Sequence, residues 1–143
     1  MMGVRTAMFR AVALAAVAFI VIASLVPAPS RPHVGVPGEL EHFAAYLLTG
    51  YACGMGWPSR ADRLRSALAL IALAGLLEFL QLWVPGRHCE VIAALISGAG
   101  AAIGVMCAAL IAAVQQPIRA LALPLSRPRW PARRVKVRAQ ILM

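Results

Sequence analysis

The chain has 143 residues, of which 62% are hydrophobic and 13% charged, and it carries a formal net charge of +9. A soluble domain keeps about a quarter of its residues charged, so lipid rather than water is the main solvent for this composition. All but one of the basic residues are arginines lying around long apolar runs; this argues against a nucleic-acid binder, which needs a soluble fold to carry its basic face, and points to anionic lipid headgroups.

Four apolar segments follow in chain order. A hydrocarbon core about 30 Å thick takes roughly 17–25 helical residues. The first span is expected from about Met8 to Val26. Arg5 and Arg10 ahead of its uninterrupted apolar stretch, Ala11 to Val26, resemble the start of a signal peptide, but the proline-rich VPAPS that follows is a poor cleavage site, which favours a retained helix. The second span, about Leu40 to Trp57, is the least apolar and carries His42, Tyr46, Thr49 and Tyr51. The third, about Ser66 to Val84, contains Glu78 and Gln81. The fourth, Val91 to Val114, has no charge, and Gln115, Gln116 and Pro117 are expected to end it. Alternating strands and hairpin signals are missing, so the expected fold class is all-α: an integral membrane bundle of four transmembrane helices. Trp57 and Trp83 fall at span ends, where amphipathic rings suit the membrane interface.

Charge sets the orientation. Arg5, Arg10, Arg60, Arg63 and Arg65 share one side with the tail residues Arg119, Arg127, Arg129, Arg133, Arg134, Lys136 and Arg138, against Arg31 and Arg87 on the other. The positive-inside rule then places both termini in the cytoplasm. The tail, 115–143, carries prolines at 117, 124, 128 and 131, which preclude one long helix. It reads as a basic segment lying on anionic headgroups.

In this topology His42, Glu78, Gln81, Arg87, His88 and Glu90 collect at the outer end. Glu78 lies about six residues before the end of its span, hence about 9 Å beneath the interface. A charge at the centre of a bilayer costs about 2.5–3.5 kcal/mol, less when paired or near the surface, so Glu78 should face the bundle and find a donor. Arg87 can reach back to it with a guanidinium suited to carboxylates. Gln81 can donate from the same helix face, and His42 from the neighbouring span. Tyr46 and Thr49 share the inward stripe with His42. The candidate ligand-binding set is therefore His42, Tyr46, Glu78, Gln81, Arg87 and Glu90. Such a cluster either fixes helix register or holds a ligand.

The other signals are plainer. Cys53, Cys89 and Cys107 form neither a disulfide framework nor a zinc pattern, and no metal or cofactor is expected. Gly50-x-x-x-Gly54 and Gly100-x-x-x-Gly104 are small-residue faces that let helices approach closely, within one chain or in a homo-oligomer.

The segments EHFAAYLLTG (Glu41–Gly50) and GLLEFLQLWVPGR (Gly75–Arg87), followed by the glycine-spaced fourth span, resemble the VanZ-like family of small bacterial membrane proteins. The resemblance covers roughly Leu40 to Gly104. His42, Phe43 and Tyr46 match the family's His-Phe-x-x-Tyr; Glu78, Gln81, Pro85, Gly86 and Arg87 match its Glu-x-x-Gln and Pro-Gly-Arg. An acidic residue three positions after the arginine is kept as Glu90. Gly38 and Glu39 stand where the family commonly has Asp-Lys, and Ala93 and Ser97 where it has Asp and Asn. The resemblance implies a multi-pass protein of the bacterial inner membrane; no reaction is established for the family. Two functions follow as expectations. One is non-enzymatic binding of an envelope lipid or glycolipid headgroup at the outer cluster. The alternative is an intramembrane hydrolase or transferase acting on a lipid-linked precursor, with Glu78 or His42 as general base and Arg87 on a phosphate. A proton-linked carrier ranks below both, since no span carries a charge that would continue a path inward.

Overall fold

The computed structural model describes the backbone of residues 2–27, 37–86 and 90–122, with the side chains of 3–27, 37–86 and 90–115. Every regular element among them is helical: α1 (Met2–Leu25), α2 (Gly38–Gly56), α3 (Arg60–Leu80), a 3-10 turn (Gln81–Trp83) and α4 (Val91–Ala122). Helices α1, α3 and α4 are each long and apolar enough to cross a membrane. Their outward surfaces carry exposed Leu14, Phe19, Leu76, Phe79, Leu95 and Leu110, a continuous apolar coat that water would not tolerate and lipid requires.

Helices α1 and α3 start earlier than the expected spans, at Met2 rather than Met8 and at Arg60 rather than Ser66, and two helix ends also differ, for physical reasons. Helix α4 does not stop at Gln115–Pro117 but runs on to Ala122. A proline removes one hydrogen bond and crowds the preceding turn, yet a helix with more than twenty residues before it is already nucleated and absorbs that loss. At the other end, α3 closes at Leu80 and tightens into the 3-10 turn, with the Gln81 N–H donating to the Leu77 and Phe79 carbonyls. The third span therefore ends in a tighter coil than a continuous helix to Val84. The tail beyond Ala122, with its basic residues, lies outside the described residues.

Helix α2 is the one of the four that is not long and apolar enough by itself to count as a membrane span, and it is the most enclosed. It packs along α4 over most of its length, α1 lies on its opposite side, and α3 rests mainly on α4, while α1 and α3 scarcely touch. Glycines make the α2–α4 seam. A Cβ added at Gly50 would run into the Ala101 carbonyl, and one at Gly104 into the Leu47 carbonyl; at Gly100 and Gly54 it would come within 2.6 Å of the Phe43 carbonyl oxygen and the Ala108 Cβ. Both small-residue motifs are thus spent on each other inside one chain. A second copy would have to use other faces.

The core follows helical spacing. Phe9, Ala13, Val17, Ile20 and Ser24 of α1 turn inward at three- and four-residue steps, as do Leu70, Ala74, Leu77 and Glu78 of α3. Thr49 is fully enclosed, and its hydroxyl donates to the Ala45 carbonyl at 2.7 Å, so this buried polar group is satisfied within its own helix.

A helix leaves its last four carbonyls without intrahelical partners, and lipid offers none. The last turn of α2 contains no basic residue, and its neighbours supply the donors. Arg10 Nε of α1 donates to the Gly56 carbonyl at 2.9 Å, and Arg63 Nε of α3 donates to the Gly54 carbonyl at 3.1 Å. Arg10 also lies over the Trp57 ring, 5.4 Å from its centroid. Ser59 caps α3 through the Asp62 N–H at 3.1 Å, and Asp62 in turn pairs with Arg65. Two cations at the negative end of α2 are favourable, so Arg10→Ala and Arg63→Ala should each lower stability by about 1–2 kcal/mol. Unfolding followed by circular dichroism in detergent checks this, and a wild-type unfolding curve for both variants would remove the cross-helix capping argument.

Candidate functional site

At the opposite end of the bundle the polar residues do meet, though not quite as the sequence suggests. Glu78 is 5% exposed, the most enclosed acidic side chain among the described residues. Its Oε2 accepts a hydrogen bond from the Glu90 N–H at 3.0 Å. The Glu90 carbonyl accepts from the Ala94 N–H at 3.2 Å, so Glu90 flanks the start of α4 and its N–H is one of the donors that a helix cannot satisfy internally. The carboxylate therefore sits at the positive end of a 32-residue helix. Hydrogen bonding to a charged group contributes about 1.5–3 kcal/mol, and the helix dipole about 0.3–1 kcal/mol. Together these offset a cost that reaches about 2.5–3.5 kcal/mol for an acidic group at the centre of a bilayer and is smaller nearer the surface. That balance explains how Glu78 can stand among Leu77, Phe79 and Leu80.

His42 comes from the second turn of α2. Its Nδ1 stands 4.0 Å from Glu78 Oε1, and both side chains are largely enclosed. The separation exceeds a direct hydrogen bond and matches a loose ion pair or a bridged one. Tyr46, one turn further along α2, is 3% exposed. Two of the expected residues, His42 and Glu78, from two helices that otherwise touch little, thus face one another.

Gln81 behaves differently. It is buried, but it is turned away from Glu78 by the 3-10 turn, and its Nε2 donates to the Ser24 carbonyl at 3.3 Å. The expected donation to Glu78 is replaced by a cap on the last turn of α1, whose carbonyls need a partner as those of α2 do. Ser24 is a participant that the sequence reading missed. It acts through its backbone oxygen, which no side-chain pattern signals. Ser97, 2% exposed on α4, is likewise drawn into the interior.

Pro85-Gly86 opens the turn after the 3-10 segment, and Gly86 takes φ 74°, a left-handed conformation that glycine adopts at no steric cost. The Glu90 side chain is exposed, so this residue contributes its N–H to the cluster rather than its carboxylate. Arg87, His88 and Cys89 lie outside the described residues, and so does the expected Arg87–Glu78 pair. Phe79 and Trp83 meet edge to face at 5.0 Å on the lipid side, with Trp83 67% exposed where an interfacial ring belongs.

Chemically the cluster offers a carboxylate acceptor, an imidazole and a phenol in a largely dehydrated corner. Among the described residues no group of three or more His, Cys, Asp or Glu side chains converges to hold a metal ion. Fold and composition together define a helical membrane protein with a polar cluster at one end of the bundle. Comparison with known proteins adds nothing to that class: no protein-family model, curated protein or solved structure matches the chain.

Proposed function

We propose that this is a four-span protein of the bacterial inner membrane, VanZ-like in character, that binds the headgroup of an envelope lipid or glycolipid at its outer polar cluster. Helix α2 supplies the fourth span in this reading. Its 19 residues reach about 28 Å at 1.5 Å per residue, close to the hydrocarbon thickness. Its polar residues are tolerable because α1 and α4 shield them from lipid. The arginine asymmetry supports both termini in the cytoplasm, which turns the Glu78 end outward.

The observation that carries the binding reading is the placement of the Glu78 carboxylate, anchored through Oε2 to the start of α4 and turned through Oε1 toward His42. Ionisable groups at membrane depth mark ligand sites more often than packing alone would require. A headgroup hydroxyl or amine is the natural donor to bridge Glu78 and His42, and Arg87, next to Gly86 in the sequence, is of a type that suits a phosphate.

Native mass spectrometry of the purified protein against a panel of envelope lipids tests this. One lipid class should be retained selectively, and Glu78→Gln or His42→Ala should reduce its retention by about tenfold, equivalent to roughly 1.4 kcal/mol. Equal retention of every lipid class by the wild type and both variants sinks the proposal. Turnover of a lipid-linked precursor that disappears in Glu78→Gln would replace binding with catalysis.

A further inference from the structure

A second feature lies at the other end of the bundle, away from the Glu78 cluster. Because α1 and α3 scarcely touch, a cleft of about 450 Å³ opens between them. Its walls are Val17 of α1 and Ala69, Leu70 and Leu73 of α3, and Cys53 of α2 forms the floor. The mouth is polar: Trp57, Asp62, Arg65 and Ser66 surround it. We propose that this cleft holds one acyl chain of an anionic phospholipid from the adjoining leaflet, with the lipid phosphate against Arg65.

Three observations fit that occupant. The apolar walls and the polar mouth follow one another along α3, from Leu73 and Leu70 through Ala69 to Ser66 and Arg65. An acyl chain joined to a headgroup has the same order of polarity. The charge at the mouth has the required sign. Arg65 lines the mouth, Arg10 and Arg63 reach the adjoining end of α2, and Asp62 is the sole acid in the α2–α3 connection and the first turns of α3. Asp62 is already engaged on both oxygens, by the Ser59 hydroxyl at 2.6 Å and by Arg65 Nη1 at 3.1 Å.

The third observation is the state of Arg65 itself. Its side chain is 78% exposed and spends one nitrogen on Asp62. A guanidinium carries five N–H donors, so donors remain for a phosphate oxygen at the depth where long basic side chains snorkel. Arg10 and Arg63 are tied to the α2 carbonyls and add field without competing for that position. The adjacent Trp57 ring lies at the same level, as an interfacial ring would beside a lipid glycerol.

The test uses the full chain in nanodiscs of equimolar phosphatidylglycerol and phosphatidylethanolamine, released into detergent and weighed by native mass spectrometry. Wild type should keep one phosphatidylglycerol in preference to phosphatidylethanolamine. Ala69→Phe fills an exposed wall of the cleft without touching the helix seams, and it should abolish retention of that lipid. Arg65→Gln should leave a lipid bound but reduce the preference for phosphatidylglycerol by about tenfold, as loss of a charge-assisted contact predicts. Undiminished phosphatidylglycerol retention by Ala69→Phe would overturn the proposal, because the lipid would then sit elsewhere, on the basic tail for instance. An unchanged preference in Arg65→Gln would overturn the phosphate assignment. Retention of a second copy of the chain in place of lipid would do the same for the occupant. None of these outcomes depends on Glu78 or His42, so this proposal and the headgroup site stand or fall separately.

Discussion

Gly104→Val should prevent the bundle from assembling, with a loss of more than about 3 kcal/mol, beyond the usual cost of an overpacked core. The reason is geometric. A Cβ at this position would overlap the Leu47 carbonyl and approach the Tyr51 backbone nitrogen to 2.7 Å. Both obstacles are backbone atoms, so no rotamer change relieves the clash and α4 must move away from α2. Membrane helices gain little from apolar burial alone and depend on close packing, which makes this seam the most sensitive surface in the molecule. Gly75 provides the contrast, because nothing lies within 4 Å of its added Cβ. Gly75→Ala should be neutral or stabilise by up to about 1 kcal/mol through helix propensity. Reversible unfolding in mixed micelles measures both. A Gly104→Val protein that unfolds at the wild-type denaturant concentration would mean that α2 and α4 do not meet as described.

Glu78 should separate stability from recognition. Glu78→Leu keeps much of the volume but leaves the Glu90 N–H without its acceptor, at a cost of about 1–3 kcal/mol. Glu78→Gln keeps an oxygen for that N–H and should cost less than about 1 kcal/mol, since the lost term is chiefly the attraction between the carboxylate and the start of α4. If the cluster only ties α3 to α4, the glutamine variant should behave like wild type in every lipid assay. If it binds a headgroup through its charge, the same variant should stay folded and lose lipid selectivity. Unfolding curves and native mass spectra taken on the same preparations therefore distinguish the roles. A Glu78→Leu protein as stable as wild type would show that the hydrogen bond to Glu90 contributes nothing.

Much of the architecture was legible because lipid imposes strict rules. Each helix must satisfy its own backbone, so long apolar runs in this composition resolve into helices and little else. The approach of His42 to Glu78 was also readable, since helical spacing sets which residues share a face and chain direction sets which ends adjoin. The end of α3 was harder to read. Whether a helix finishes in an α or a 3-10 turn depends on small differences in terminal hydrogen bonding, and here that choice carries Gln81 away from Glu78 to the Ser24 carbonyl. The end of α4 was equally hidden, because the single hydrogen bond that Pro117 removes does not by itself decide whether a helix continues.

Composition and periodicity are local properties, and they were enough to read the solvent, the helical class and the polar residues that must be sheltered. Which neighbours cap which helix ends was settled by packing in three dimensions. Arg10 and Arg63 serve α2, Gln81 serves α1, and Glu78 serves α4. Each of these bonds joins a side chain to a main-chain atom of another element. Main-chain atoms are the same at every position, so no residue pattern marks them as partners; proximity in three dimensions does.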